Sequence, residues 1–270
     1  KQNKQKTKME AIIQNTKDFN TLLSFIGNFD DHVKFQCYED KIYVQCLAHA
    51  HTCILKAEIM SMFFEKYACT MLKDEQGQSQ PIIMGIHMKI LNSILKKVKK
   101  DEKICMSSKS GSELTLSITD NDSTHLTSYT IKLMNLDSEE LQIPDIEDHF
   151  CCRLTPSILK TWNNLILDIT KSDVDFKPTK SENDILTLCS TGECQTVTRQ
   201  EKLTFDIFEN PEPFTLNQRS VSLICSMAVF NSEVVMAYQS NMPIGFSMNL
   251  EGVQIECFFA PAISDVMDED

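Results

Sequence analysis

Glycine is scarce in this sequence, which has only seven glycines among its 270 residues. The patterns GxGxxG, GxxxxGK(S/T), HExxH and GxSxG are all absent. Nucleotide-binding loops, zinc proteases and nucleophile elbows depend on these arrangements for the geometry of their chemistry. We therefore expect no catalytic residue and no cofactor, and an enzyme is the less favoured class of protein.

Long apolar runs are also missing from the chain. No stretch approaches the roughly 18 consecutive apolar residues of a membrane-spanning helix. The lysine-rich start KQNKQKTK leads into MEAII without the apolar centre of a signal peptide. The eleven cysteines include no CxxC pair, and Cys151 and Cys152 are adjacent, which favours free thiols over a disulfide framework. These features predict an intracellular protein with no membrane partner.

Four stretches carry apolar residues at the spacing of an amphipathic helix. The first begins near Asn15 or Thr16 and ends by Gly27, and the third has Thr155 as N-cap and Pro156 at the first helical position. Asn217 is the N-cap candidate of the fourth. The apolar positions are Phe19, Leu22, Leu23 and Ile26 in the first stretch, Ile90, Leu91, Ile94, Leu95 and Val98 in the second, Ile158, Leu159, Trp162, Leu165, Ile166 and Ile169 in the third, and Val221, Ile224, Met227 and Ala228 in the fourth.

Between these helices the apolar period changes to two, which is typical of strands, as in VKFQCYEDKIYVQC and DILTLCSTGECQTVTR. Helices and strands follow in the same order twice. This order predicts an α+β fold of two similar domains, each with helices packed on antiparallel sheets. We expect a disordered tail at 1–8, an N-terminal domain at 9–133, a connecting loop at 134–150, a C-terminal domain at 151–265 and an acidic tail at 266–270.

The polar faces of the four helices contain few acids, although the chain carries 38 acids against 26 bases. Phosphate contacts depend on the local field, so a protein with a net charge of −12 can still bind a polyanion. The alternative for any one lysine run is a solvated helix face. The candidate DNA contacts are Lys96, Lys97, Lys99 and Lys100 on the second helix, Lys160 on the third and Arg219 on the fourth.

One group of residues in the stretch QCLAHAHTC consists of zinc-binding types, namely Cys46, His49, His51 and Cys53. Positions 49, 51 and 53 would share one face of a continuous strand. The stretch is more typical of two strands joined by a short polar connection, which would separate these side chains. Because no second ligand pair at zinc spacing follows, we predict no metal site.

The segment SYTIKLMNLDSEELQIPDIEDHF, from residue 128 to 150, becomes acidic while it still contains large apolar residues. Its run YTIKLMNLDSEELQIP resembles the interdomain connecting loop of the proliferating cell nuclear antigen family, the sliding clamps of eukaryotic and archaeal DNA replication. That family has a strand ending in KLM, an LDxE stretch and then Leu-x-Ile-Pro. IYVQCLAHAHTCILKAEI, HMKILNSILK and FFAPAISD resemble further elements of the family.

The resemblance implies a homotrimeric ring with helices inside and sheets outside. Neighbouring subunits would close the ring by pairing edge strands, with Tyr129 and Ile131 on one side and Val197 and Arg199 on the other. Such a ring encircles double-stranded DNA without sequence preference. It tethers DNA polymerase, the clamp loader and repair factors as a processivity factor, in the nucleus or at a viral replication site.

The connecting loop would also cover a groove for a short helix from partner proteins that carry a Gln plus paired-aromatic peptide motif. The alternative for the apolar residues of the loop is packing within the protein. By their positions in the family, the groove residues are Leu47, His51, Thr52, Ile54, Leu136, Leu141, Ile143, Pro144, Pro243, Phe258, Ala260 and Pro261.

Several positions depart from the family pattern on the helices. Asn20 and Thr21 stand where paired lysines are usual, and Asn163 and Asn164 stand near usual arginines. Fewer phosphate contacts would lower both the affinity for duplex DNA and its salt dependence. A divergent clamp-like paralogue, either checkpoint-clamp-like or a scaffold subunit with weakened DNA threading, is therefore the alternative. An enzyme that uses the Cys and His cluster is a third hypothesis.

Overall fold

The computed structural model describes residues 9–48, 52–73, 77, 79–99, 101–109, 112–120, 125–136, 141, 149–180 and 182–262. Contacts divide the chain into two units. Unit 1 contains Lys1–Ala48, Leu55–Leu141 and Asn249–Ile255, and unit 2 contains His49–Ile54, Gln142–Met248 and Glu256–Asp270. The division after Leu141 falls within 134–150, the predicted connecting loop, while the predicted domain limits stay a prediction.

Among the described residues, the N-terminal half of the chain forms two α-helices and eleven strands. They are β1 (Met9–Ile13), α1 (Thr16–Ile26), β2 (His32–Cys37), β3 (Lys41–Leu47), β4 (Cys53–Met60), β5 (Lys66–Cys69), β6 (Leu72–Lys73), β7 (Ser79–Gln80), β8 (Ile82–His87), α2 (Met88–Leu95), β9 (Glu102–Ser108), β10 (Glu113–Asp120) and β11 (Leu126–Lys132). One antiparallel sheet has the order β11-β10-β9-β1-β5. In a second sheet β4, β3, β2 and β8 are successive neighbours, and β6 pairs with β7.

In the described part of the C-terminal half, this arrangement is repeated with three α-helices and nine strands. They are β12 (Phe150–Leu154), α3 (Pro156–Trp162), α4 (Asp168–Thr170), β13 (Val174–Lys180), β14 (Asp184–Thr191), β15 (Thr196–Leu203), β16 (Phe205–Phe208), β17 (Phe214–Leu216), α5 (Gln218–Ser226), β18 (Val234–Tyr238), β19 (Ile244–Leu250) and β20 (Val253–Phe259). One antiparallel sheet has the order β15-β14-β13-β17, and in another β16, β12, β18 and β19 are successive neighbours. The predicted α+β fold of two similar halves is confirmed, with one addition: each half begins with a strand before its first helix.

Helix α1 forms where the sequence predicts it. The Asn15 side chain accepts a hydrogen bond from the Asp18 N–H at 3.2 Å, which satisfies an amide that the first turn leaves free. The predicted apolar stripe, which includes Phe19 and Leu23, is buried. On the polar side, the Asn20 amide donates to the Leu95 carbonyl of α2 at 3.1 Å, so Asn20 joins the two helices of unit 1.

The third predicted helix differs from expectation in its second half. A π-helical turn at Asn163–Leu167 separates α3 from α4. Such a turn inserts an extra residue, so the buried stripe shifts around the helix axis after it. Trp162 and Ile166 are buried as predicted, but Leu165 and Ile169 are 40% and 43% exposed, and the prediction that they share the buried stripe is wrong.

Candidate functional site

The segment after β11 first attaches to unit 1 at β8. Met134 forms an antiparallel bridge with Gly85, and the Met134 N–H donates to the Gly85 carbonyl at 2.8 Å. A Cβ atom at Gly85 would collide with the Met134 carbonyl oxygen and would lie 2.9 Å from Leu136 Cγ. The absence of a side chain at Gly85 therefore lets the segment lie directly on the strand.

The same segment attaches a second time at β3. The Gln45 side-chain amide donates to the Leu141 carbonyl at 2.9 Å, and the Leu141 N–H donates to Gln45 Oε1 at 2.8 Å. Strand register places Gln45 opposite Lys34 of β2, and Lys34 opposite Gly85 of β8. The residues Gln45 and Gly85, which hold the segment, are therefore two strands apart in the sheet, a distance of about 10 Å.

Three predicted groove residues in unit 1 present apolar surface. Leu47 and Leu136 are half-buried, and the Leu141 side chain is 39% exposed although both backbone groups of Leu141 are hydrogen-bonded. A leucine held by its backbone retains a side chain that can contact another molecule.

In unit 2, the chain after β20 runs beside Thr52. The Ala260 N–H donates to the Thr52 carbonyl at 2.9 Å, and the Ala262 N–H donates to the Thr215 carbonyl of β17 at 2.8 Å. These bonds hold the predicted groove residue Ala260 next to Thr52, and the predicted groove residue Pro261 lies between the two bonded alanines. Ala260 is exposed, whereas Thr52 and Pro261 are half-buried.

Other predicted groove residues of unit 2 lie on or beside its strands. Phe258 on β20 faces the strand β19, where a Cβ atom at Gly245 would lie 3.7 Å from its ring. Pro243 comes directly before β19 and is half-buried, as are Phe258 and Ile54. The remaining groove candidates His51, Ile143 and Pro144 lie outside the described residues.

The candidate subunit contacts lie on two strands at sheet edges. Within the described residues, β11 is the last strand of the five-stranded sheet in unit 1 and β15 is the last strand of the four-stranded sheet in unit 2. Tyr129 and Val197 are half-buried. Arg199 forms two hydrogen bonds with Glu201, at 2.8 and 3.3 Å. Ile131 is only 5% exposed, so its side chain belongs to the core of unit 1.

The candidate DNA contacts in unit 1 follow α2. Lys96, Lys97 and Lys99 are exposed at and beyond the helix C-terminus, while Lys100 lies outside the described residues. The neighbouring Lys89 is paired with Asp31 at 2.5 Å, and this hydrogen bond holds the pKa of the Asp31 carboxyl below its ordinary value.

In unit 2, Lys160 on α3 and Arg219 on α5 are both exposed. Arg219 lines an open pocket of about 410 Å³ together with Lys171, a cation just after α4 that the sequence patterns did not select. The same pocket contains the carboxylate of Asp168, which reduces its positive field. The apolar period of the third helix does not point to Lys171, because the π-helical turn changes the position of every later residue around the helix axis.

The cysteines of the zinc-type cluster are core residues. Cys46 and Cys53 are 7% and 1% exposed, and burial raises the pKa of the Cys46 thiol above its ordinary range, which disfavours the thiolate that binds metal. His49 and His51 are not among the described residues. Across the part of the chain that the structure describes, no group of three His, Cys, Asp or Glu side chains could hold a metal ion.

Among the described helices, none is long and apolar enough to cross a bilayer.

Three comparisons with known proteins agree on one family. Residues 8–141 match the family model of the N-terminal domain of proliferating cell nuclear antigen. The proliferating cell nuclear antigen of Chaetomium thermophilum is 18% identical over 268 residues, which cover 95% of this chain and 99% of that protein. The crystal structure of the Entamoeba histolytica protein of the same name matches with a TM-score of 0.83 at 16% identity, covering 96% of this chain and 100% of the other. At that identity the structural likeness concerns the fold.

Proposed function

Because this chain belongs to the proliferating cell nuclear antigen family of sliding clamps, we propose that three copies close a ring around duplex DNA and tether DNA polymerase and repair factors to it. The observation that carries the proposal is a pair of edge strands of similar length, β11 with seven residues and β15 with eight. The stretch Leu126–Ile131 of β11 contains neither a charge nor a proline, the usual devices that keep an edge from pairing.

The two edges belong to different units of the chain, β11 to unit 1 and β15 to unit 2. Pairing β11 of one copy with β15 of the next is a heterologous, head-to-tail contact, which generates a closed ring when the rotation between copies allows it. A two-fold dimer would instead pair each edge with itself. The family supports the ring with three copies.

The tethering function is assigned to the groove residues of unit 1. A short helix with a few large apolar anchors suits the half-exposed apolar side chains of Leu47, Leu136 and Leu141. Partner proteins, including the clamp loader, would supply a glutamine and paired aromatic residues. The expected location is the nucleus, or a viral replication site if the source is viral.

The contact with DNA is assigned to the exposed cations of the helices, which would touch phosphates without reading base sequence. These cations are Lys96, Lys97 and Lys99 beyond α2, Lys160 on α3 and Arg219 on α5.

A second candidate function is a clamp-like scaffold with weakened DNA threading. Two observations favour it over an ordinary clamp. Asn20 and Thr21 on α1 are uncharged and so supply no cation, and their side chains donate to the carbonyls of Leu95 and Lys17 instead. Ile90 on α2 is 47% exposed, and exposed apolar side chains on the helices do not attract phosphate.

Solution mass tests ring closure first. Light scattering or sedimentation near physiological salt should give a particle of about three times 30.8 kDa. A protein that stays monomeric at micromolar concentration would contradict the ring.

Threading is tested with two forms of one linear duplex, with free ends or with both ends blocked by bound streptavidin. A ring should bind the free-ended duplex and be excluded from the blocked one, because it can enter only over an end. Binding that ignores the ends would contradict encirclement. A trimer that binds neither form would favour the scaffold.

A further inference from the structure

We propose that Gln45 is a positioning residue for partner binding: by pairing with the backbone of Leu141, it holds the Leu141 side chain where a partner peptide can contact it. The inference rests on the proposed function, in which this face of the protein receives a peptide. Gln45 itself need not touch the peptide.

The geometry of the pair carries the inference. One carboxamide both donates to the Leu141 carbonyl, at 2.9 Å, and accepts from the Leu141 N–H, at 2.8 Å. A strand neighbour in an antiparallel sheet makes the same exchange with its opposite residue. Gln45 thus gives Leu141 the hydrogen bonds of a strand residue, and the two residues are 96 positions apart in the sequence.

Leu141 and Met134 are both held through their backbones, but the partner of Leu141 is a side chain and the partner of Met134 is another backbone group. The Met134 N–H donates to the backbone carbonyl of Gly85, an acceptor that every amino acid carries, so no side chain takes part in that bond. Leu141 depends on a side chain. The position of Leu141 is therefore under the control of one residue on β3.

Anchoring through the backbone determines how much of the Leu141 side chain a partner can contact. Side chains that anchor a loop by burial are not available to a partner. Leu141 is anchored through its backbone and is 39% exposed, so the anchoring leaves part of its apolar surface available to the peptide. A large apolar residue fixed in place before binding also loses less conformational freedom when the partner arrives.

Methionine at position 45 is close to glutamine in length but can neither donate nor accept these bonds. Gln45→Met should weaken binding of a synthetic peptide carrying the glutamine and paired aromatics by about tenfold, as expected for the loss of two neutral hydrogen bonds. Hydrogen exchange should show loss of protection at the Leu141 amide and retained protection at the Met134 amide. Gln14→Met, the same change at an exposed glutamine after β1, should alter neither measurement.

A double-mutant cycle separates positioning from a general structural role. If Gln45 acts through Leu141, then Gln45→Met should have almost no further effect in the Leu141→Ala background, because the side chain that it positions is gone. Independent, additive losses would overturn the inference. Unchanged peptide affinity in Gln45→Met, together with lost protection of the Leu141 amide, would overturn it as well.

Failure of the proposed function has a different signature. If the wild-type protein binds no peptide while its Leu141 amide is protected, the groove does not receive partners. The pair between Gln45 and Leu141 would then exist without the role assigned to it, and both proposals would fall.

Discussion

At the residue scale, the segment after β11 depends on two residues that carry no recognisable motif. Gly85 provides space for Met134, and Gln45 provides hydrogen bonds for Leu141. Each lies at an outward position of a strand, where sequence patterns predict only a solvated side chain. Their roles follow from their contacts with Met134 and Leu141.

Gly85→Ala should release the first attachment, because the added Cβ would collide with the Met134 carbonyl oxygen. Overpacking of this kind costs about 1–3 kcal/mol, and the backbone of the segment must move to relieve it. Urea unfolding should report the loss of stability, and the Met134 amide should lose its exchange protection. Gly245→Ala is the matched control, since its Cβ would make an ordinary contact at 3.7 Å. Equal stabilities of the two variants would contradict the tight fit at Gly85.

At the element scale, the densest group of positive charge in or next to a described helix is formed by Lys96, Lys97 and Lys99, at and beyond the C-terminus of α2. Lys96→Ala, Lys97→Ala and Lys99→Ala combined should weaken retention on duplex DNA equally for all sequences. If each lysine neutralises one phosphate, the slope of log K against log salt should fall in magnitude by about 2.7 for every copy of the chain that contacts the duplex.

The control removes the same charge from the region of the five-stranded sheet: Lys66→Ala on β5, Lys103→Ala on β9 and Lys109→Ala directly after β9. Retention and salt slope should then stay near the wild-type values. Equal losses for the two triple variants would mean that net charge, and not the α2 cations, governs binding.

The edge strands give a second prediction at this scale. Tyr129→Lys on β11 and Val197→Lys on β15 should each convert the trimer to monomers, because charges on an edge oppose strand pairing and a symmetric ring repeats the defect three times. Analytical ultracentrifugation measures the change. A substitution at Ile131 would be less informative, because its side chain is 5% exposed and a charge there would destabilise the unit itself.

Ala68→Lys is the matched control for this test. Ala68 is exposed on β5, the strand at the opposite end of the same sheet from β11. This variant should remain trimeric. Dissociation of Ala68→Lys, or survival of the trimer in both β11 and β15 variants, would contradict the assigned pairing.

At the scale of the whole molecule, buried thiols make stability depend on pH. Desolvation raises the pKa of Cys225 to about 12, and it raises the pKa of Cys37, Cys46 and Cys152 as well. The folded state therefore holds these protons more tightly than the unfolded state. The stability associated with the neutral thiols is complete below the ordinary thiol pKa near 9 and is lost as the pH rises from there toward 12.

Denaturant unfolding at pH 7.5 and at pH 10.5 checks this sign. The free energy of unfolding should fall with rising pH, and Cys225→Ala should reduce the fall by about 2 kcal/mol. Cys194→Ser, at an exposed thiol, should leave it unchanged. A free energy that is constant across this range would contradict the burial of the thiols.

The sequence by itself determined the local elements. The apolar periods of α1 and α5, their caps Asn15 and Asn217, and the alternation along β14 and β15 all correspond to elements of the structure. Local periodicity suffices for this because burial of one face imposes a period of 3.6 on helices and of two on strands. The run YTIKLMNLDSEELQIP further indicated the family, which the comparisons support.

The tertiary structure alone decided which residues meet across the chain and which strands lie at an edge. Gln45 and Leu141 are 96 residues apart, and no local pattern relates them. The need for glycine at position 85 comes from the Met134 backbone that lies against it. Leu165 lies outside the buried stripe because the π-helical turn shifts that stripe around the helix axis. These features depend on register and on packing between distant segments, which a period read along the chain does not contain.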